Sequence, residues 1–213
     1  MQFDKFSFRL AEEILSQRPS WSELEQVIKD IEPEDIVKFH ESIVSEKTAR
    51  YKVGPAKGPA GAQSALNRLF KDRLVTRRWK AEPILFPESE EGLGEWKMDF
   101  LKDRIGVEIT FNHAEAIAWT FTRVTLAGES TEVIDGSRID TGVIVYASQS
   151  LKRWGKMDSA VGTFERARLW LQKMRPVMPI PILLIGLKAE SNNGVRWAET
   201  RTFRGTAAGG RRN

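Results

Sequence analysis

The 213-residue chain carries 33 Lys and Arg against 29 Asp and Glu, a net charge of +4, with 41% hydrophobic and 29% charged residues, the composition of a globular domain long enough to bury a core. It has no cysteine and two histidines, His40 and His113, which excludes disulfides, thiolate nucleophiles and multi-histidine metal sites and leaves carboxylate chemistry as the default. The mild basic excess suits a polyanionic partner without specifying one, and no apolar run reaches signal-peptide or membrane-span length, so a soluble cytoplasmic protein is expected.

The first 45 residues read as helices. Ser22 and Glu25 resemble a capping box, and Leu24, Val27, Ile28 and Ile31 fall on one helical face. Pro33 opens a second, short helix that turns Ile36, Phe39 and Ile43 inward and carries His40, read as a surface or packed histidine in preference to a catalytic one. Residues 46–62 include KTARYKVGPAKGPAG, in which glycines and prolines break any periodicity and Lys47, Arg50 and Lys52 add positive charge, so a basic loop is expected. A helix over 63–73 follows, with Leu66, Leu69, Phe70 and Leu74 on one face and Asn67 also on it.

Beyond a Glu- and Gly-rich turn, residues 96–111 are strand-like and break at Asp103-Arg104. Asn112 and Glu115 mark the start of a helix burying Ile117, Phe121 and Val124. Residues 139–147 and 182–187 are apolar, β-branched runs that suit strands covered on both faces. Between them Ala160, Phe164, Ala167, Leu171 and Met174 keep helical spacing, with Asp158 or Ser159 placed to cap that helix. A hairpin followed by βαβαβ predicts an α/β fold with a mixed central β-sheet flanked by helices. We read it as one domain over 1–204, with a helical part at 1–45, the basic loop at 46–62, a core at 63–188 and a flexible tail at 205–213.

In MDFLKDRIGVEITF, alternation puts Ile105, Val107, Ile109 and Phe111 on one strand face and Gly106, Glu108 and Thr110 on the other. A two-residue loop at Asp103-Arg104 sets Asp99 opposite Glu108, with Cβ atoms roughly 5 Å apart. Two carboxylates that close repel unless they share a proton or a divalent cation, and oxygen-only ligands favour Mg²⁺. Spacing alone also fits two acids on a solvated strand face.

The stretches SEKTARYKV, SALNRLFKDRL, DFLKDRIGVEITF, RIDTGVIVYASQSLKRW, MDSAVGTFERARLWL and PIPILLIGL, in that order across residues 45–188, resemble the PD-(D/E)xK nucleases, and specifically the BglII-like restriction endonucleases, whose relatives include BstYI and BamHI. The resemblance implies a homodimeric type II restriction endonuclease that hydrolyses double-stranded DNA with Mg²⁺, Mn²⁺ substituting, at a GATC-centred palindrome and leaves 5′-phosphates. It implies Asp99 and Glu108 as metal carboxylates, the Ile109 carbonyl as a backbone ligand and Asn67 as a helix residue beside the active site. His113, Asp158 and Ser159 stand where the family contacts bases, helix 115–127 where it dimerises, and Lys47, Arg50 and Lys52 where it meets phosphates. At position 110 the superfamily usually has Lys and the BglII-like members a Gln, whereas this chain has Thr. Either Thr110 orients the attacking water, or Lys97 or Lys102 supplies the donor, or catalysis is impaired. The alternatives are a nuclease of DNA repair, a DNA-binding relative without cleavage and, least favoured, a carboxylate-pair glycosidase.

Overall fold

The computed structural model describes residues 1–50, 61–86, 96–134 and 136–189, with side chains 47–50 excepted. A six-stranded sheet in the order β1-β8-β7-β6-β5-β2 is built from β1 (Phe3–Phe8), β2 (Lys80–Ala81), β5 (Phe100–Lys102), β6 (Ile105–Ile109), β7 (Thr141–Ala147) and β8 (Ile182–Leu187). β3 (Ile84–Phe86) and β4 (Trp96–Lys97) pair separately. β6, β7 and β8 run parallel, in register Val107↔Val143 and Val143↔Leu183, while β1 and β5 join antiparallel at either side. This is the mixed sheet that the βαβαβ pattern predicts, and its three central strands are buried along their whole length.

Two cores lie on opposite faces of the sheet. Val107, Val143, Val145 and Ile185 pack with α1 (Ala11–Leu15), α2 (Pro19–Lys29), α3 (Pro33–Arg50) and α4 (Gln63–Thr76). Ile144, Tyr146 and Leu184 pack with α5 (Ile117–Glu129) and α7 (Phe164–Lys173), while α6 (Gln149–Trp154) follows β7. On this second face Gly106, Gly142 and Gly186 leave room for close neighbours: a β-carbon at these positions would collide with Met98, Val124 and Phe164 respectively. α5 therefore lies hard against the sheet.

Several elements differ from the sequence reading. Residues 3–8 form a strand instead of a helix, because Phe3–Phe8 completes the open edge of β8 from Phe3↔Leu187 to Phe8↔Ile182. α2 starts at Pro19, with Arg18 extended before it, so Ser22 lies inside the helix and caps nothing; proline at the first turn sets the start. α3 begins at Pro33 as expected but runs 18 residues, taking Lys47 and Arg50 into a helix. Lys52 and the tail at 205–213 lie outside the described residues. α7 begins at Phe164 after Thr163, so neither Asp158 nor Ser159 caps it; those residues belong to a turn in which the Ala160 amide donates to Asp158 Oδ1 at 2.7 Å. His40 is fully buried, the packed of its two structural readings.

Gly142→Ala is expected to cost about 1–3 kcal/mol through overpacking against Val124, read as a lower urea midpoint with an unchanged m-value.

Candidate active site

The β5–β6 hairpin turns through two residues, Asp103 at φ 48° and Arg104 at φ 62°, the left-handed pair that a two-residue hairpin requires but that side chains other than glycine adopt at a cost. Contacts from the start of α2 hold the turn. The Arg18 guanidinium donates to the Asp103 carbonyl at 3.2 Å and to both carboxylate oxygens of Asp140 at 2.7 and 3.0 Å, and the Ser20 hydroxyl donates to the Asp103 carboxylate. The resulting register, Phe100↔Val107 to Lys102↔Ile105, carries Asp99 to the position facing Glu108.

At Asp99 the two strands part. The Met98 amide donates to the Pro83 carbonyl at 3.2 Å and the Asp99 carbonyl accepts from the Glu82 amide at 2.9 Å, so the main chain before β5 is bound to the 82–83 segment and no longer to β6. The Asp99 carboxylate fills the gap, accepting from the Ile109 amide at 2.7 Å. Amide and carbonyl of one strand residue face the same neighbour, so the Ile109 carbonyl also faces the place β5 has left.

Glu108, opposite Asp99 in that register, is 1% exposed; the strand face that could have been solvated is closed by α5. Arg123 Nη2, from α5, donates to Glu108 Oε2 at 2.6 Å. Oε1 is buried with no hydrogen-bond partner among the described residues. Burial, and then the charge of Asp99, push the Glu108 carboxyl up to about 8, while Arg123 pulls it down. Burial also raises Asp99, opposed by the Ile109 amide and by the charges of Arg123 and Lys71.

A cleft of about 220 Å³ opens beside Asp99, lined by Asn67, Lys71, Glu82 and Ile109 among others. Asn67 and Lys71 lie one turn apart on α4, and the Lys71 ammonium is 2.7 Å from Glu82 Oε1. Thr110 is 3% exposed and does not line this cleft; its amide donates to the Val145 carbonyl at 3.0 Å, extending the parallel ladder. Lys102 is committed to Glu23 at 2.6 Å and the Arg77 carbonyl at 2.8 Å, which removes it as the donor absent from position 110. Lys97, on β4, is exposed and its charge acts on Glu82.

His113, Asp158 and Ser159 are all exposed and sit on two loops joined to each other. An antiparallel bridge pairs His113 with Val161, the Ala114 amide donates to the Ala160 carbonyl at 2.8 Å, and the Gly162 amide donates to the Asn112 carbonyl at 2.8 Å. Lys152, from α6, braces the second loop by donating to the carbonyls of Ser159 and Val161, both at 2.7 Å.

Arg123, Lys71, Glu82 and Lys152 escaped the sequence reading. Arg123 sits three residues after Thr120 and four before Ala127, both buried, so a cation flanking a buried stripe was the signal for it. Lys71 follows Asn67 by four residues on one helix face. Glu82 and Lys152 act through contacts between distant segments and left no local signal.

A family model described as restriction endonuclease BglII/BglIII matches residues 3–187. Among solved structures, restriction endonuclease BglII complexed with a DNA 16-mer superposes with a TM-score of 0.64 at 22% identity, covering 89% of this chain and 78% of that one. Free BglII gives a TM-score of 0.55 at 20% identity, covering 89% and 81%. A search of curated proteins returned no match.

A carboxyl raised in the folded state binds its proton more tightly when folded, so in EDTA the protein should lose stability as pH rises from about 4.5 to about 8. Arg123→Ala removes the cation that favours ionised Glu108 and is expected to destabilise the fold more at pH 9 than at pH 6, with Glu108→Gln in the same chain recovering most of the loss. Urea denaturation of both variants and their double mutant checks this.

Proposed function

Since the chain belongs to the BglII/BglIII family of restriction endonucleases, we propose that it cleaves double-stranded DNA at a short GATC-centred palindrome by divalent-cation-dependent phosphodiester hydrolysis, with Asp99 and Glu108 as its metal carboxylates. The observation that carries this reading is the carboxylate pair placed across the hairpin at the point where β5 leaves β6. The donors fit a hard cation such as Mg²⁺, with Mn²⁺ substituting: two carboxylates and the Ile109 carbonyl are oxygen ligands, and Glu108 Oε1 is an orphaned buried acceptor. Among the described residues no three His, Asp or Glu side chains converge, which suits a cation held by two carboxylates and completed by substrate phosphate. Such a cation supplies positive charge at the phosphate and acidifies a water for in-line attack, leaving a 5′-phosphate.

The chain's own residues prepare that chemistry. Arg123 compensates Glu108 and fixes its carboxylate at 2.6 Å. Asp99 is oriented by the Ile109 amide, Asn67 lines the cleft, and Thr110 lies on the Glu108 face of the strand. His113, Asp158 and Ser159 read base edges from their joined loops, while Lys47, Arg50 and Lys52 meet backbone phosphates. A palindrome read by two identical sites calls for a two-fold homodimer. The α5 surface suits it, with Trp119 51% exposed and stacked edge-on against Trp96 at 5.1 Å. Residues 1–204 then act as one endonuclease domain. Thr110 favours a second reading, a DNA-binding relative that does not cut.

Incubation with plasmid DNA in Mg²⁺, Mn²⁺ or EDTA, followed by sequencing of fragment ends, separates the two. Metal-dependent ends at a GATC-containing palindrome are expected; intact DNA in both metals would leave the non-cutting reading. Asp99→Asn should abolish cleavage and retain specific binding, because removing a carboxylate beside phosphate lessens repulsion; full cutting by that variant would refute the metal assignment. Ser159→Ala should weaken specific binding by about 1–3 kcal/mol, whereas an equal loss on every sequence would show that Ser159 reads no base.

A further inference from the structure

Two residues after the second acid, where the wider nuclease pattern has Lys and BglII-like members a Gln, this chain has Thr110, buried on the Glu108 face of the sheet and away from the cleft beside Asp99. A cation enters that cleft from a different element. Lys71 and Asn67 leave the same face of α4 and both line the cleft with Asp99 and Ile109. The Lys71 ammonium rests 2.7 Å from Glu82 Oε1, and Glu82 is bound to the main chain of Asp99 by an amide hydrogen bond of 2.9 Å.

The neighbouring cations are placed differently. Arg123 is held on buried Glu108 at 2.6 Å, Lys102 is engaged with Glu23 and Arg77, and Lys97 stands on β4 outside the cleft lining.

Resting on the nuclease reading, we propose that Lys71 is a catalytic residue that supplies from α4 the ammonium absent from position 110, binding a non-bridging oxygen of the scissile phosphodiester beside Asp99, with Glu82 as its counterion until DNA arrives. The exchange is physically easy. Lys71 and Glu82 side chains are 54% and 58% exposed, and a pair so solvated is stabilised by only about 0–1 kcal/mol. An ammonium on a backbone phosphate forms a charge-assisted hydrogen bond and releases condensed counterions. The incoming phosphate also repels Glu82, which drives the exchange in the same direction. Lysine suits this task as a compact charge on a flexible stem that can swing from one oxygen to another.

The test compares wild type, Lys71→Ala and Lys71→Arg in two assays. In the first, affinity for a duplex containing a GATC-centred palindrome is measured against salt concentration, with Ca²⁺ in place of Mg²⁺ to hold back cleavage. Loss of one phosphate contact should reduce the slope of log affinity against log salt by about 1 in Lys71→Ala, with Lys71→Arg keeping the wild-type slope. In the second, enzyme in excess is mixed with supercoiled plasmid and Mg²⁺, and Lys71→Ala should cut about 100-fold more slowly or worse, with partial rescue by Lys71→Arg. An unchanged salt slope in Lys71→Ala overturns the proposal even if cleavage slows, because a lysine that merely braces Glu82 contributes no phosphate contact. Wild-type protein that leaves plasmid intact overturns the nuclease reading instead, and the salt slope still decides whether Lys71 touches phosphate.

Discussion

Burying a carboxylate beside a second carboxylate is the constraint on which the arrangement turns. Glu108 is 1% exposed and within electrostatic reach of Asp99, a placement that a folded protein sustains only with a proton or a cation nearby. α5 brings that cation as Arg123. Its approach is possible because Gly142 on β7 yields space to Val124, the residue after Arg123. The helix, the glycine and the acid are thus one packing problem, and the parallel strands between them exist to hold it in register.

The site faces two ways as a result. On the α5 side, charge is neutralised in a buried, short and directional ion pair. On the α4 side, Asp99 borders an open cleft where the Lys71–Glu82 pair is solvated and loosely held. The carboxylate of Asp99 joins the two sides by taking the hydrogen bond that a continuing β5 would have received from Ile109. A strand that ends early is what exposes the chemistry, since full pairing would have consumed both the Ile109 amide and the room beside it.

Much of this was legible from local sequence because the decisive periods are local. Asp103-Arg104 at the centre of an alternating run fixed the hairpin register, and the apolar runs at 139–147 and 182–187 gave the doubly covered strands. What escaped depends on distant partners. Phe3–Phe8 is a strand because it pairs with β8 far along the chain, 178 residues away at the Phe6↔Leu184 pair. Asp158 and Ser159 looked like helix caps because their residue types suit caps, yet the bridge between His113 and Val161 holds them in a turn and delays α7 to Phe164. Propensity was correct about what these residues can do and silent about which contact would claim them.

The bare backbone positions at Gly106, Gly142 and Gly186 restrict how this lineage can vary. A single added methyl group at any of them meets Met98, Val124 or Phe164, so each change would demand a compensating one across the interface. Drift in the face behind the acids must therefore proceed by paired replacements, which are rare, while the exposed loops bearing His113 and Ser159 can change one residue at a time. Change in those loops can run far ahead of any change in the sheet that supports them.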